Sequence, residues 1–207
     1  MTIRKAKVQD VDSIVAIHNQ AFPDFFLTTL GNRFLRLYYK CMCNCKDAIT
    51  LCAEEDGEVK GFATSSYYSH GFNTTLIKKN LLKFGLMGVE LMFTKPKAIL
   101  RLAKNLDKKA EGNTVEDNGE YAELYSIAVK PGNQGSGIGK KLLIATEEGV
   151  AKHNRKISLT TDYYNNEKTI GFYRSLGYQD YYEFVTYPNR RMWRMIKKLQ
   201  CNNGNNR

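Results

Sequence analysis

Apolar positions along this chain fall into short blocks whose spacing changes from strand-like to helix-like and back. Ile3 to Lys7 has the composition of a short strand. Asp10 then stands where an N-cap belongs, ahead of Val11, Ile14, Val15, Ile17 and Phe22, which share one helical face before Pro23 stops the run. A second helix is predicted from about Asn32 to Met42, with Phe34, Leu35, Leu37, Tyr38 and Tyr39 as its apolar side. Ala48 to Glu54 and Glu58 to Tyr67 flank Asp56-Gly57, a dipeptide that tolerates the positive φ of a tight hairpin turn. Further on, Glu120 to Val129 reads as a strand, Gly135 to His153 as a helix and Ile157 to Tyr164 as a strand. A short helix around Tyr173 follows, then strands around Tyr181 to Tyr187 and Trp193 to Leu199. The order β-α-α-β-β-β-α-β-α-β-β predicts a mixed α/β domain.

Between the third and fourth strands the pattern is interrupted by about 50 residues, His70 to Gly119. Leu81, Phe84, Leu91 and Met92 suggest one helix there, and Ile99, Leu102, Ala103 and Leu106 recur at helical spacing after Pro96. Leu76 to Lys109 holds nine Lys or Arg against Glu90 and Asp107, a net +7 of the chain's +10. Two basic amphipathic helices are expected, followed by a polar linker over Asp107 to Gly119. Three roles stay open for them: a solvated charged face, a lid over an anionic ligand, or contact with a membrane surface.

Composition narrows the class. At 207 residues the chain accommodates one domain over 1–200 with the helical insertion at about 70–119 and a polar tail over 201–207, and no internal repeat is evident. No stretch approaches the roughly 18 uninterrupted apolar residues of a membrane span, and Met1 to Lys7 lacks a signal-peptide apolar core, so a cytoplasmic location is expected. Five cysteines, including Cys41-x-Cys43-x-Cys45, lack the C-x-x-C pairs or histidine partners of a zinc site, so reduced thiols and no metal are expected. The pI near 9.3 comes without a recognisable base-reading motif, so no specific nucleic-acid partner is expected.

Chemistry concentrates in Ile127-Ala128-Val129-Lys130-Pro131-Gly132-Asn133-Gln134-Gly135-Ser136-Gly137-Ile138-Gly139-Lys140, a strand, a break, a glycine-rich bend and a helix start. Backbone N–H groups converging at the positive end of a helix bind phosphate oxygens, and the glycines allow the close approach. A nucleotide P-loop would require Gly at 134 and a hydroxyl at 141, where this chain has Gln134 and Lys141. A dinucleotide fingerprint beginning at Gly135 would require its third Gly at 140, which is Lys140. What stands is Q-G-x-G-x-G after a strand ending V-x-P.

That loop resembles the pyrophosphate loop of the GNAT superfamily, the coenzyme A-dependent N-acyltransferases. A second segment agrees: Asn166, six residues, Tyr173, three residues, then Gly177 and Tyr178. The resemblance spans nearly the whole chain. It implies a GNAT fold, a mixed and mostly antiparallel sheet splayed between strands four and five and flanked by helices. It also implies acetyl-CoA as co-substrate and acetyl transfer to an amine by direct attack. Ile127, Ala128 and Val129 would offer backbone groups to the pantetheine arm, residues 134 to 140 would hold the pyrophosphate, and Asn166 would contact the arm. Tyr173 would be the general acid for the departing thiolate, a phenol of ordinary pKa near 10 being suited to that task.

The general base stays open. Glu123 lies eleven residues before Gln134, where histone-acetylating members carry a glutamate, but it is equally compatible with a paired or solvent-facing acid. Asp162 or a water chain are the alternatives. Members that acetylate protein N-termini often have a glutamate five residues before the Asn, where this chain has Thr161. Phe25, Phe26 and Thr28, after the first helix, together with Tyr125, are candidates for the acceptor wall. A small amine such as an amino sugar is the expected acceptor, with a protein or peptide amine as the alternative. A non-catalytic acyl-CoA-binding module is a third reading, and a homodimer stays open.

Overall fold

The computed structural model describes the backbone of residues 1–107 and 117–200 and the side chains of 1–101 and 117–200. The expected polar linker and tail fall largely outside these residues. Strands β1 (Thr2–Lys5), β2 (Ala48–Glu55), β3 (Glu58–Ser66), β4 (Ala122–Val129), β5 (Lys156–Asp162), β6 (Gln179–Thr186) and β7 (Arg190–Lys198) form one sheet in the order β1-β2-β3-β4-β5-β7-β6. Only β4 and β5 run parallel; every other neighbouring pair is antiparallel.

Helices cover both faces of the sheet. On one face α1 (Val11–Ala21) and α3 (Asn32–Asn44) bury Ile14, Leu35, Tyr39 and Met42 against Phe62 of β3. On the other, α7 (Ile138–Ala151) and α8 (Glu167–Ser175) bury Leu142, Leu143 and Tyr173 with Ile157 and Leu159 of β5. The apolar spacing of α1 and α3 is therefore the one their burial requires. The β2–β3 hairpin turns at Asp56 and Gly57 with φ of 52° and 76°, as the dipeptide suggests.

Three local expectations change. Asp10 does not cap α1; its carboxylate accepts the Lys7 N–H at 2.7 Å and pairs with Arg4, closing a short 3₁₀ turn, Val8–Asp10, that precedes the helix. A five-residue helix α2 (Phe26–Leu30) stands where a wall segment was expected; it is too short for periodicity to reveal. Among its described residues the insertion holds three helices instead of two: α4 (Phe72–Lys79), α5 (Leu81–Thr94) and α6 (Pro96–Asp107).

Two irregularities in β4 shape the site. Pairing with β3 shifts between Thr64, opposite Ser126, and Ser65, opposite Leu124, which makes Tyr125 an extra residue. Ala122 and Leu124 thus belong to the α7–α8 core, whereas Ala128 belongs to the α1–α3 core. Pairing with β5 is confined to Ala122, Glu123 and Leu124 opposite Ile157, Ser158 and Leu159. Beyond Leu124 the two strands diverge.

Candidate active site

The divergence opens a cleft of about 550 Å³ between β4 and β5, lined by Tyr125 to Val129 on one side and Leu159 to Asp162 on the other. Gln134 and Gly139 come from the loop ahead of α7, Asn166, Phe172 and Tyr173 from α8, and Ala21, Phe22 and Phe25 from the end of α1 and the segment beyond. Because β4 pairs with β3 on its other edge, the backbone groups of its last residues that face β5 are left for a ligand.

Gly135 and Gly137 both have φ of 81°, a left-handed conformation that bends the loop back onto the start of α7. A Cβ at either position would meet nothing within 4 Å, so the concave side is open. Gly137 is the N-cap of α7 and supplies no side-chain cap, which leaves the first N–H groups of the helix available to an anion. Ser136 donates its hydroxyl to the Asn133 carbonyl at 2.6 Å and braces the bend. Ile138 is buried beneath it, and Lys140 lies in the first turn of α7. An open loop of N–H groups joined to an unpaired strand edge fits a diphosphate with an amide-bearing arm, the chemistry of coenzyme A.

Asn166 donates its amide to the Thr161 hydroxyl at 2.6 Å and to the Asp162 carbonyl at 3.0 Å, which fixes the start of α8. Tyr173 is 7% exposed, packs edge-on against Phe172 and Tyr178, and lines the cleft. Burial pushes its phenol above the ordinary tyrosine value. Tyr125 also lines the cleft; burial, then the charge of nearby Glu123, pushes its phenol up.

Other expected residues fall elsewhere. Glu123 is not at the cleft: its carboxylate accepts from Arg194 at 3.1 Å and from the Ser69 hydroxyl at 2.8 Å, in a polar cluster shared with Tyr121, Tyr182 and Asp117. Phe26 faces the insertion, with the Arg101 guanidinium 5.4 Å from its ring centre, and Thr28 donates its hydroxyl to the Phe22 carbonyl at 2.6 Å. Of the expected acceptor wall, Phe25 and Tyr125 reach the cleft.

The cleft also takes in the alternative base and members that no sequence motif marked. Asp162 lines it and is held by Arg190, at 2.6 Å between Nη2 and Oδ2, while the Arg190 guanidinium lies 4.4 Å from the centre of the Phe25 ring. Ser126 lines it from the opposite strand, and its hydroxyl accepts from Tyr39 at 3.4 Å. The Tyr39 hydroxyl lies 2.7 Å from His18 Nδ1, so a buried polar chain runs from α1 to the cleft. The signal in sequence was a histidine and a tyrosine on the otherwise apolar faces of α1 and α3.

A sheet that parts at its one parallel junction, with an open glycine bend at one end of the gap and a buried phenol beside it, is the arrangement expected of a coenzyme A-dependent acyltransferase. The Acetyltransferase (GNAT) family model matches residues 12–178, and the chain belongs to that family. It is accordingly an acyltransferase with acetyl-CoA as co-substrate. No curated protein matches the sequence. Among solved structures it resembles ribosomal-protein-alanine N-acetyltransferase from Brucella melitensis, at TM-score 0.61 and 18% identity, covering 96% of this chain and 100% of that one. It also resembles aminoglycoside 6'-acetyltransferase type Ii, at TM-score 0.60 and 15% identity, covering 97% and 98%. A third is yncA, a putative acetyltransferase from Salmonella typhimurium with its cofactor acetyl-CoA, at TM-score 0.59 and 16% identity, covering 97% and 94%.

Proposed function

We propose that this protein acetylates the primary amine of a small molecule, such as an amino sugar, by direct attack within a ternary complex. The observation that carries the reading is the acceptor side of the cleft. Phe22 and Phe25 wall it, the Arg190–Asp162 pair narrows it, and the insertion bears on α2 behind it through Lys95, whose Nζ donates to the Thr29 carbonyl at 2.8 Å. A polypeptide lying across the protein needs an open groove. A compact cationic amine needs a short apolar wall and a nearby carboxylate, which Phe22, Phe25 and Asp162 would supply.

Acetyl-CoA, when bound, supplies the acyl group as a thioester. The loop from Gln134 to Lys140 would bind its diphosphate, and Asn166 and the free edge of β4 would bind its arm. A β4 backbone N–H within Ile127 to Val129 would donate to the carbonyl oxygen as charge grows there. Tyr173 would give its phenolic proton to the leaving sulfur. Glu123, tied to Arg194 away from the cleft, is a weaker candidate base than a water chain passing Ser126; Asp162 reaches the cleft with both carboxylate oxygens engaged by Arg190.

Relatives in fold include both a ribosomal-protein and an aminoglycoside acetyltransferase, so acceptor class is the quantity to measure. A thiol-release screen with acetyl-CoA should pair amino sugars, polyamines and amino acids against peptides. Turnover with amino sugars or polyamines well above that with peptides is the expected result. Turnover confined to peptides would replace the small-molecule acceptor, and no turnover with any amine would favour a binding module.

A further inference from the structure

Helix α5 carries one face that nothing else in the described protein covers. Phe84, 6.1 Å from Phe34 between ring centres, and buried Leu91 turn toward the domain, and Glu90 holds Arg33 at 2.6 Å. On the opposite side Leu82, Leu86, Val89 and Phe93 are 83%, 75%, 54% and 85% exposed. Their spacing of four, three and four residues places them within an arc of roughly 60° at 100° per residue. Leu81 and Met92 extend the same surface and are also exposed. A helix apolar on both sides is expected to be covered on both.

Charge selects what covers it. Lys83 is exposed on α5 itself and Lys78 and Lys97 are exposed on the helices that precede and follow it, whereas Glu90 is engaged by Arg33. A second copy of this chain would set that charge against itself across a two-fold axis, which works against self-association. No helix of the described residues is long and apolar enough to cross a membrane. Bulky apolar side chains at the tip with lysines beside them match the headgroup and acyl boundary of an anionic leaflet.

We propose that α5 docks the protein on an anionic lipid surface, with Leu82, Leu86, Val89 and Phe93 entering the boundary and Lys78, Lys83 and Lys97 meeting the headgroup phosphates. The docked helix is joined to the acceptor side of the cleft. Lys95 reaches the Thr29 carbonyl and Arg101 covers Phe26, so α2 and the adjoining Phe25 keep a fixed relation to the insertion. Lipid docking therefore orients the cleft relative to the surface. The proposal does not depend on which amine is acetylated.

The test is co-sedimentation of the full chain with vesicles of phosphatidylcholine alone and of phosphatidylcholine mixed with phosphatidylglycerol. Binding to the mixed vesicles only, weakened by salt, is expected. The double variant Leu86→Glu/Phe93→Glu changes two exposed positions and should lower partition at least about tenfold with an unaltered thermal melt. Lys78→Glu/Lys83→Glu should weaken binding and flatten its salt dependence. Failure to bind the mixed vesicles, or equal binding by the Leu86→Glu/Phe93→Glu variant, overturns the proposal. So does a dimer in sedimentation equilibrium that this variant dissolves while vesicles go unbound, which would assign the face to a second copy.

Discussion

Tyr173 lies edge-on to Phe172 and Tyr178, and its burial holds the phenol protonated past the pH at which an exposed tyrosine ionises. A group kept neutral in this way is poised to donate, and its loss should fall on turnover and not on coenzyme affinity. Tyr173→Phe is expected to lower kcat by about 100-fold or more while leaving the acetyl-CoA Kd unchanged, read by steady-state kinetics beside calorimetry. An unchanged kcat would remove Tyr173 as the acid. His18 gives a second, independent handle. Burial lowers its imidazole from 6.5 to about 4, so between those values the unfolded chain binds a proton that the folded chain does not. Stability from this group is whole above pH about 6.5 and declines as pH falls toward about 4, by roughly 3 kcal/mol in all. Urea melts across that window should be flatter for His18→Gln than for the parent, and parallel slopes would contradict the assignment.

At the scale of elements, the junction of β4 with α7 does most to make the site. Gly137 must hold φ of 81° at the helix start, a conformation that disfavours a side-chain-bearing residue by roughly 1–2 kcal/mol. Gly137→Val should raise the acetyl-CoA Kd about tenfold, through a bend that no longer presents its N–H groups, with a smaller effect on kcat. Equal Kd values by calorimetry would mean that the loop does not grip the diphosphate. Gly61 serves the same junction from β3: a Cβ there would lie 2.8 Å from the Ala128 carbonyl oxygen, so only glycine lets α7 and β4 approach this closely. The bulge at Tyr125 turns its ring onto Phe72 of the insertion, at 5.6 Å between centres, and so ties α4 to the strand that borders the cleft.

Across the whole molecule, what could be read from sequence was whatever is local. The succession of strands and long helices along the chain and the glycine bend are carried by neighbours in the chain and are found in the structure, whereas the 3₁₀ turn at Asp10 and the short helices α2 and α4 gave too few residues for a period to show. Pairings across long separations were hidden. Glu123 on a strand beside tyrosines gave no hint that Arg194, 71 residues away, would hold it outside the cleft. The His18–Tyr39–Ser126 chain joins three elements, and the Phe25–Arg190 contact joins α2's leading edge to the last hairpin. The bulge in β4 was equally invisible, because an alternating pattern does not record which residue is extra. The basic insertion was legible as charged helices, yet the face it leaves bare emerged only once Phe84 and Leu91 were seen to turn inward.

The three-residue parallel join between β4 and β5 makes the sheet two plates sharing a narrow seam, β1 to β4 on one side and β5 to β7 on the other. A molecule wedged into that seam acts as mortar as well as reactant. Saturating acetyl-CoA should raise the melting temperature by mass action, about 2.7 kcal/mol of added stability at a hundred times Kd. Slowed amide exchange should appear on both plates together, and protection confined to the glycine bend would mean that the plates are already fastened without it.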